Sequence, residues 1–302
     1  MGLGRWLFLG FVIVVLFFMS LFIAGIVTLL LGGDVALGNV AVIPVKGTIV
    51  SDAETSIFSS SSASSTEIVS LIEKAESNPS IKAIVFDINS GGGYPVASYE
   101  IVRAIESSKK PTVAWIRDVG ASGAYWIAAS CDHIIASELS MVGSVGAIGS
   151  YLEYSGLMER YNVTYEKMTS GKYKDIGSPY RETSDYERAL LQQKIDMLGD
   201  MFLEDVAQRR NLDDRQKQEI STAIYFLGIE GKDLGLLDEF GGKPEAKAYL
   251  EKELNEAVVF VDYDTPKGFA EILAEMSKEF SYSLGEGIGN QMFAQEEGLL
   301  LG

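Results

Sequence analysis

The feature that most constrains this chain is an apolar run near its amino terminus. Residues 6–33 carry no charged side chain, and the run exceeds the roughly 20 residues that a helix needs to cross a bilayer. The apolar region of a cleaved signal peptide is shorter, at about 7–15 residues, and residues 36–38 form only a weak cleavage site. The run therefore predicts an uncleaved transmembrane anchor.

The charges that flank the run predict its orientation. Arg5 precedes the run and Asp34 follows it, and positively charged residues are preferentially kept on the cytoplasmic side. We therefore expect a single-pass protein of the cell membrane with a cytoplasmic amino terminus. Residues 34–302 are then expected on the extracytoplasmic side.

The composition argues against several kinds of site and partner. The formal net charge of −17 opposes binding to the phosphate backbone of nucleic acids. One histidine and one cysteine cannot supply a His/Cys zinc cluster, and a lone cysteine cannot form an internal disulfide. The composition leaves an all-carboxylate metal site open, but the sequence contains no EF-hand pattern. We therefore predict no metal site, no cofactor and no nucleic-acid partner.

Strand and helix patterns alternate along the chain, which predicts an α/β fold with a mainly parallel sheet. The segment 81–88 is an almost continuous apolar run, as expected of a strand in a sheet that is covered on both faces. The predicted strands are 40–50, 81–88, 111–118, 133–137 and 257–264.

Two capping boxes predict where helices begin. The first, Ser64–Glu67, opens a helix that ends at Asn78-Pro79, and the second, Ser184–Glu187, opens a long helix. The apolar face of the first helix contains Ile68, Leu71, Ile72 and Ala75. The apolar positions of the second include Leu190, Met197, Leu198, Phe202 and Val206.

The chain is predicted to have three parts and no internal repeat. Residues 1–33 form the anchor, 34–267 form one folded domain, and 268–302 contain an amphipathic segment and a mobile tail. Seven serines in 56–65 predict a flexible loop within the domain.

Two glycine-rich turns follow strands and together suggest acyl-transfer chemistry. Ser122 lies among small residues in 120–124, just before an apolar helix-like run, and 89–93 reads NSGGG. Ser122 could attack a carbonyl while the N–H of Gly123 and that of Gly92 or Gly93 stabilise the oxyanion. Each turn alone is equally consistent with a structural role, as a helix N-cap or a tight turn.

The base that would activate Ser122 is not expected to be histidine. His133 follows a short predicted helix and lies about 16 Å along its axis from Ser122, whereas a base must lie within about 3 Å of the hydroxyl. Lysine is the remaining common choice, because Ser–Lys pairs are a known variant of the triad.

The segment 169–182 offers two candidate lysines, Lys172 and Lys174, and their spacing does not choose between them. Asp175 complicates either role, because a nearby carboxylate favours the charged form of lysine. We therefore expect Asp175 to point away or to pair with another group, such as Arg181.

Several motifs, in order, resemble signal peptide peptidase A, a family of membrane-anchored Ser–Lys serine peptidases, over roughly residues 40–265. The resemblance implies a Clp-protease/crotonase-like fold, substrates that are cleaved signal peptides, and a homo-oligomeric ring. The motifs are VAVIPVKGTI, INSGGG, GASGAYWIAASCD, GSVGAIG, SGKYKDIGSPYRE and GIEGKDLGLLDEFGG.

Carried over by position, the resemblance assigns roles to individual residues. Ser122 matches the nucleophile, and Lys174 matches the general base because KDIGSP fixes the register and leaves Lys172 outside the dyad. Ser144 matches a serine that orients the lysine amine. The oxyanion donors match the backbone N–H groups of Gly92, Gly93 and Gly123, although Gly91 stands where the family usually has proline.

The resemblance also implies where the dyad forms. In the long form of the family, two tandem domains supply the lysine and the serine separately, whereas this chain has one domain with both. We therefore expect Ser122 of one subunit to face Lys174 of its neighbour. The alternatives are a stomatin-associated Ser–Lys membrane peptidase, a crotonase-type acyl-CoA enzyme and a non-catalytic membrane scaffold.

The predicted orientation has a direct test. Protease added outside intact spheroplasts should digest the domain at 34–302, because that domain is expected on the outer face of the membrane. Immunoblotting against this domain, before and after lysis, measures its accessibility. Digestion only after lysis would place the domain in the cytoplasm instead.

Overall fold

The computed structural model of the protein describes residues 13–20, 38–52 and 62–264. The chain divides between residues 37 and 38 into two units. In the first unit, residues 13–20 are helical with exposed side chains. Across the described ranges, no helix is both long enough and apolar enough to cross a membrane. The predicted anchor at 6–33 lies mostly outside those ranges, and the predicted tail at 268–302 lies wholly outside them.

A parallel sheet forms the centre of the second unit. Each neighbouring pair along its main path is parallel, which confirms the predicted α/β fold with a mainly parallel sheet. Along the path, the strands are β10 (Phe260–Asp262), β1 (Val40–Lys46), β4 (Ala83–Ser90), β5 (Thr112–Ala121), β6 (His133–Ala136) and β9 (Glu239–Phe240).

Strand β5 is shared by two neighbours on one side. Its first half pairs with β6, and its last residues, 119–121, pair with β7 (Met141–Gly143). Strand β7 also pairs antiparallel with β8 (Tyr225–Leu227). Because the carboxyl ends of parallel strands lie at the same edge of a sheet, the segments after β4 and β5 emerge side by side.

Helices cover both faces of this sheet. The helices between residues 62 and 264 are α1 (Ser65–Ser77), α2 (Pro95–Ser107), α3 (Gly123–Ala129), α4 (Ser155–Arg160), α5 (Asp185–Arg209), α6 (Asp214–Ile220), α7 (Gly228–Asp233) and α8 (Lys243–Leu254). Alternate residues of β1 enter different cores, as the pleat of a strand requires. Ala41 and Ile43 join the core that includes α1, α2 and α3, whereas Val40 and Val42 join the core that includes α8.

The first predicted helix is confirmed as α1. The Ser64 hydroxyl accepts a hydrogen bond from the Glu67 amide at 3.3 Å and so caps the helix. All four predicted apolar residues of α1 are buried, and the helix ends at its C-cap Asn78, next to Pro79.

The second capping box is also confirmed, and the apolar positions of α5 divide between buried and exposed surface. The Ser184 hydroxyl and the Glu187 carboxylate cap the helix reciprocally. Phe202 and Val206 are buried, whereas Met197 and Leu198 are exposed. Only the carboxyl-terminal part of α5 packs on the core, so its apolar residues are not all core residues.

The first predicted strand, 40–50, is divided in the structure. Gly47 has φ of 80°, a conformation that glycine adopts without steric cost, and the chain turns there. The residues after the turn form β2 (Thr48–Val50), which pairs with β3 (Ser62–Ser64) in a separate small sheet. Residues 62–64 are therefore a strand rather than the end of the predicted serine-rich loop, and residues 56–61 lie outside the described ranges.

Candidate active site

Ser122 lies on a strained turn between β5 and α3. Its backbone has φ of 54° and ψ of −129°, a region that costs a non-glycine residue about 1–3 kcal/mol. The Ser122 amide donates to the Gly143 carbonyl at 2.8 Å, and the Ser122 carbonyl accepts from the Trp126 amide at 3.0 Å. These two hydrogen bonds hold the strained residue between the end of β7 and the first turn of α3.

Two backbone amides beside Ser122 are available to a ligand. Gly123 begins α3, so its N–H has no intrahelical partner, and Gly93 lies in the turn after β4. In the described part of the chain, neither amide donates a hydrogen bond. The Gly92 amide instead donates to the Ser90 hydroxyl at 3.1 Å. Gly93 and Gly123 are therefore the better placed pair of oxyanion donors.

The two glycine-rich turns approach each other so closely that side chains do not fit between them. A Cβ atom on Gly92 would lie 2.7 Å from the Gly123 nitrogen and 2.9 Å from the Ser122 Cβ. A Cβ atom on Gly123 would lie 2.2 Å from the Ser98 hydroxyl oxygen. Glycine at position 92 thus allows the two turns to meet, and glycine at position 123 allows α3 to begin next to Ser98 of α2.

Two residues that the sequence analysis missed hold the turn after β4. The Ser90 hydroxyl donates to the Gly47 carbonyl at 2.6 Å while it accepts from Gly92. The Ile49 amide donates to the Gly92 carbonyl at 3.0 Å, and the Ile49 carbonyl accepts from Tyr94 at 2.9 Å. A serine two residues before a glycine is a known local hydrogen-bonding pattern, so Ser90 could have been identified. The contact with Ile49 depends on the turn at Gly47.

A cleft of roughly 480 Å³ lies beside the turn after β4. Parallel α/β sheets commonly bind ligands at this carboxyl edge, so the cleft is a candidate place for substrate. It is lined by Gly47, Thr48, Asn89, Ser90, Gly91, Gly92 and Val119. A larger cavity of roughly 780 Å³ between α1 and α2 contains none of the candidate site residues.

Ser144 adjoins the nucleophile turn through its neighbour Gly143. The Ser144 hydroxyl donates to the Ala223 carbonyl at 3.1 Å. A hydroxyl oxygen that donates its proton keeps lone pairs for an incoming donor. Ser144 can therefore accept a hydrogen bond from an amine placed near Ser122.

Lys174 lies in the segment between α4 and α5. It is exposed, in a turn closed by the Lys174 amide and the Gly171 carbonyl at 3.4 Å. Within the described residues, no hydrogen bond joins Lys174 to Ser122 or to Ser144. At the neighbouring candidate Lys172, a hydrogen bond with Tyr173 raises the pKa, which disfavours the neutral form that a base needs.

Asp175 is paired with cations other than Lys174, as the sequence analysis expected. Its carboxylate lies 2.7 Å from Arg181 and 2.6 Å from Lys167. The hydrogen bonds from Arg181 and then Lys167 hold the pKa of Asp175 below its ordinary value. The carboxylate next to Lys174 is therefore engaged elsewhere.

His133 lies at the other end of the sheet from Ser122. It is opposite Val113, near the beginning of β5, whereas Ser122 follows the end of that strand. Nine residues of strand correspond to about 30 Å. The His133 ring stacks on Tyr249 with centroids 3.8 Å apart, and its Nε2 lies 3.4 Å from Glu239. The expectation that His133 is too far from Ser122 to act as its base is confirmed, and the separation is larger than the about 16 Å expected from the short helix.

The described residues contain no group of three or more His, Cys, Asp or Glu side chains that could hold a metal ion. Cys131 is buried, and burial raises the pKa of its thiol. A buried thiol of this kind is a poor nucleophile. Among the residues near the glycine-rich turns, Ser122 therefore remains the candidate nucleophile.

Comparison with known proteins gives a family match that covers the nucleophile and the lysine segment. A family model described as peptidase family S49 matches residues 104–257. A provisionally named protease of Methanocaldococcus jannaschii is 32% identical over 76% of this chain and 74% of its own. A provisionally named signal peptide peptidase SppA of Enterococcus faecium is 32% identical over 75% of this chain and 67% of its own.

The glycine contacts predict a sharp difference between neighbouring substitutions. Gly92→Ala should lower kcat by up to about 100-fold, because its methyl group would push the turn after β4 away from Ser122 and a displacement of about 1 Å can have that effect. Gly91→Ala is the matched control, since a Cβ atom at Gly91 meets no atom within 4 Å. Steady-state peptidase kinetics would measure both. Equal activity of the two variants would contradict the proposed close approach.

Proposed function

Because the chain belongs to peptidase family S49 and is a serine peptidase, we propose that it cuts peptides with Ser122 as nucleophile and Lys174 as general base. Its proposed substrates are cleaved signal peptides, and the proposed location of its catalytic domain is the extracytoplasmic side of the cell membrane. The observation that carries the proposal is the strained turn at Ser122, which lies beside the two available amides of Gly93 and Gly123.

This arrangement supports a complete acyl-transfer sequence. Ser122 Oγ attacks the peptide carbonyl as its proton passes to the neutral Lys174 amine, and Gly93 and Gly123 stabilise the oxyanion. The lysine then gives that proton to the leaving amine, and the C–N bond breaks. Water, deprotonated by the same lysine, hydrolyses the ester and restores Ser122. Burial of the lysine at a subunit contact would favour its neutral form.

The path of the chain supports a base supplied by a neighbouring subunit. Helix α5 contacts the nucleophile helix near its carboxyl end, where Trp126 stacks on Phe202 with centroids 4.6 Å apart. The lysine turn instead meets the first turn of α5, where Tyr173 lies 5.9 Å from Tyr186 between centroids. Positions 186 and 202 are about 24 Å apart along a helix axis. The lysine turn and the nucleophile helix are therefore attached near opposite ends of α5.

The region that carries Lys174 also has a surface suited to a protein partner. We call residues 147–201 the arm. Only two residues of the arm are buried, Thr183 and Glu187, and both are polar. Many of its apolar side chains are exposed, with Met168 at 98% and Ile148 at 89%. Many exposed apolar side chains on one segment favour an interface with another protein.

A second copy of the chain is the proposed partner of the arm. A contact between the arm of one subunit and the nucleophile turn of the next joins two different surfaces. Such head-to-tail contacts form a closed ring when the rotation between subunits allows it. Each active site would then contain Ser122 from one subunit and Lys174 from its neighbour.

The uncharged run at 6–33 supports the membrane part of the proposal. An anchored peptidase would be held where signal peptides remain after cleavage. The relative named signal peptide peptidase SppA supports the same class of substrate.

A serine-reactive fluorophosphonate tests the dyad. Wild-type protein should be labelled, and Ser122→Ala should not. Lys174→Ala and Lys174→Arg should each lose nearly all peptidase activity, because alanine has no amine and arginine remains protonated. Labelling is read by in-gel fluorescence, and activity is read with a fluorogenic peptide.

The controls for this experiment are Lys172→Ala and His133→Ala, which should keep most of the activity. If Lys172→Ala were inactive and Lys174→Ala active, the assignment of the base would be wrong. If wild-type protein showed neither labelling nor peptidase activity, the scaffold alternative would be favoured instead.

Mixing two inactive variants tests whether the dyad forms between subunits. Co-assembled Ser122→Ala and Lys174→Ala subunits should regain part of the wild-type activity, because some contacts pair an intact serine with an intact lysine. Activity is measured on complexes purified through two different affinity tags, so that co-assembly is established independently. Background activity in such complexes would place the whole dyad within one subunit.

A further inference from the structure

We propose that Arg181 is a positioning residue that fixes the turn carrying Lys174 to the first turn of α5. Its guanidinium binds Asp175, the residue next to Lys174, and Glu187, which caps α5. The inference rests on the proposed role of Lys174 as the base. It adds a residue that acts through the lysine and does not touch the substrate.

The geometry of Arg181 is that of a double bidentate clamp. Its Nε and one terminal nitrogen lie 2.7 and 3.1 Å from the two Asp175 oxygens. Its two terminal nitrogens lie 2.9 and 2.6 Å from the two Glu187 oxygens. The flat guanidinium presents five donors in a fixed fork, so it can bind two carboxylates at once, whereas an ammonium group acts as a point charge.

The clamp is largely shielded from water although it lies near the surface. The side chains of Asp175 and Glu187 are each 9% exposed, and that of Arg181 is 24% exposed. The hydrogen bonds from Arg181 lower the pKa of Glu187 to about 2. They also hold the pKa of Asp175 below its ordinary value and raise the pKa of Arg181. All three groups are therefore charged near neutral pH.

Apolar packing on this turn is limited to a contact at the surface, where Tyr173 and Tyr186 have ring centroids 5.9 Å apart and neither ring is buried. The only buried residues of the arm are the polar Thr183 and Glu187. Other contacts are few. They include the hydrogen bond between the Tyr151 and Thr183 hydroxyls at 2.7 Å and that between the Tyr154 amide and the Pro179 carbonyl at 2.6 Å. Neither of these contacts involves residues 171–176, which carry the lysine.

The clamp also keeps a carboxylate away from the base. Lys167, Asp175, Arg181 and Glu187 together carry no net charge, because two cations meet two anions. Loss of the Arg181 charge leaves an excess of one negative charge beside Lys174. Asp175 could then pair with the lysine amine, and an opposite charge within about 4–6 Å favours the protonated amine. Arg181 thus has two effects, on the position of the lysine and on its protonation.

The test compares Arg181→Gln with Arg188→Gln in the full-length, assembled protein. Arg188 is the matched control, since it lies near the start of α5 and forms an exposed ion pair with Asp185 at 3.3 Å. Arg181→Gln should lower kcat by about 100-fold with little change in KM, because a displacement of about 1 Å can have that effect. Arg188→Gln should match wild type.

The pH profile separates positioning from general structural damage. In Arg181→Gln, the pH of half-maximal kcat should move upward by about one unit, since the freed Asp175 carboxylate favours the charged amine. The double variant Asp175→Asn/Arg181→Gln should lose this upward shift and still have a low kcat. A variant that is merely unstable would lower kcat without this shift or its reversal.

A second variant covers the case in which Arg181→Gln does not assemble. Glu187→Gln removes one carboxylate from the clamp but keeps a side chain that can complete the capping box. It should also lower kcat, with sedimentation velocity and circular dichroism unchanged. The proposal on Arg181 would be overturned if Lys174→Ala were inactive but the assembled Arg181→Gln and Glu187→Gln variants kept the kcat and the pH profile of wild type. Activity in Lys174→Ala would instead overturn the proposed function.

Discussion

The close approach of two backbone turns is the constraint on which the rest of the site depends. The turn after β4 and the turn after β5 meet at Gly92 and Gly123, where a Cβ atom on Gly92 would lie 2.7 Å from the Gly123 nitrogen. The parallel sheet makes this possible because both strands end at the same edge. Hydrogen bonds from the turn at Ser122 to β7 and α3 offset the strain in its backbone. The available amides, and therefore the proposed oxyanion site, follow from this contact.

The two halves of the proposed dyad are held by different physical means. Ser122 lies beside a dense apolar core, in which Tyr125 is fully buried and its hydroxyl donates to the Leu236 carbonyl at 2.8 Å. Lys174 lies on an arm whose buried residues are polar, and charged hydrogen bonds fix the turn that carries it. A lysine base gains from this arrangement, because its amine can be exposed in the free subunit and desolvated only when a neighbour covers it. In the proposed ring, assembly and activation would thus be coupled.

Helix α5 leads to the same region. Among its apolar residues, Met197 and Leu198 are exposed, whereas Phe202 and Val206 enter the core. An apolar position in the sequence does not specify whether its side chain is buried by the same chain, covered by another chain or exposed. The exposed half of α5 is therefore consistent with the proposed contact between subunits.

The sequence by itself determined the parallel α/β fold and the start of α1 and α5, and it named Ser122, Gly92, Gly93 and Gly123 as candidates. The fold and the two helix starts are confirmed because strand and helix periodicity and caps are local patterns. The catalytic roles of Ser122 and the three glycines stay predictions. The choice of Lys174 over Lys172 came from a resemblance between motifs and stays a prediction. Only the tertiary structure decided that the Gly92 amide is bound by Ser90, that Ile49 holds the oxyanion turn, and that Arg181 joins Asp175 to Glu187. Such contacts depend on how distant or folded-back segments meet, which no local pattern specifies.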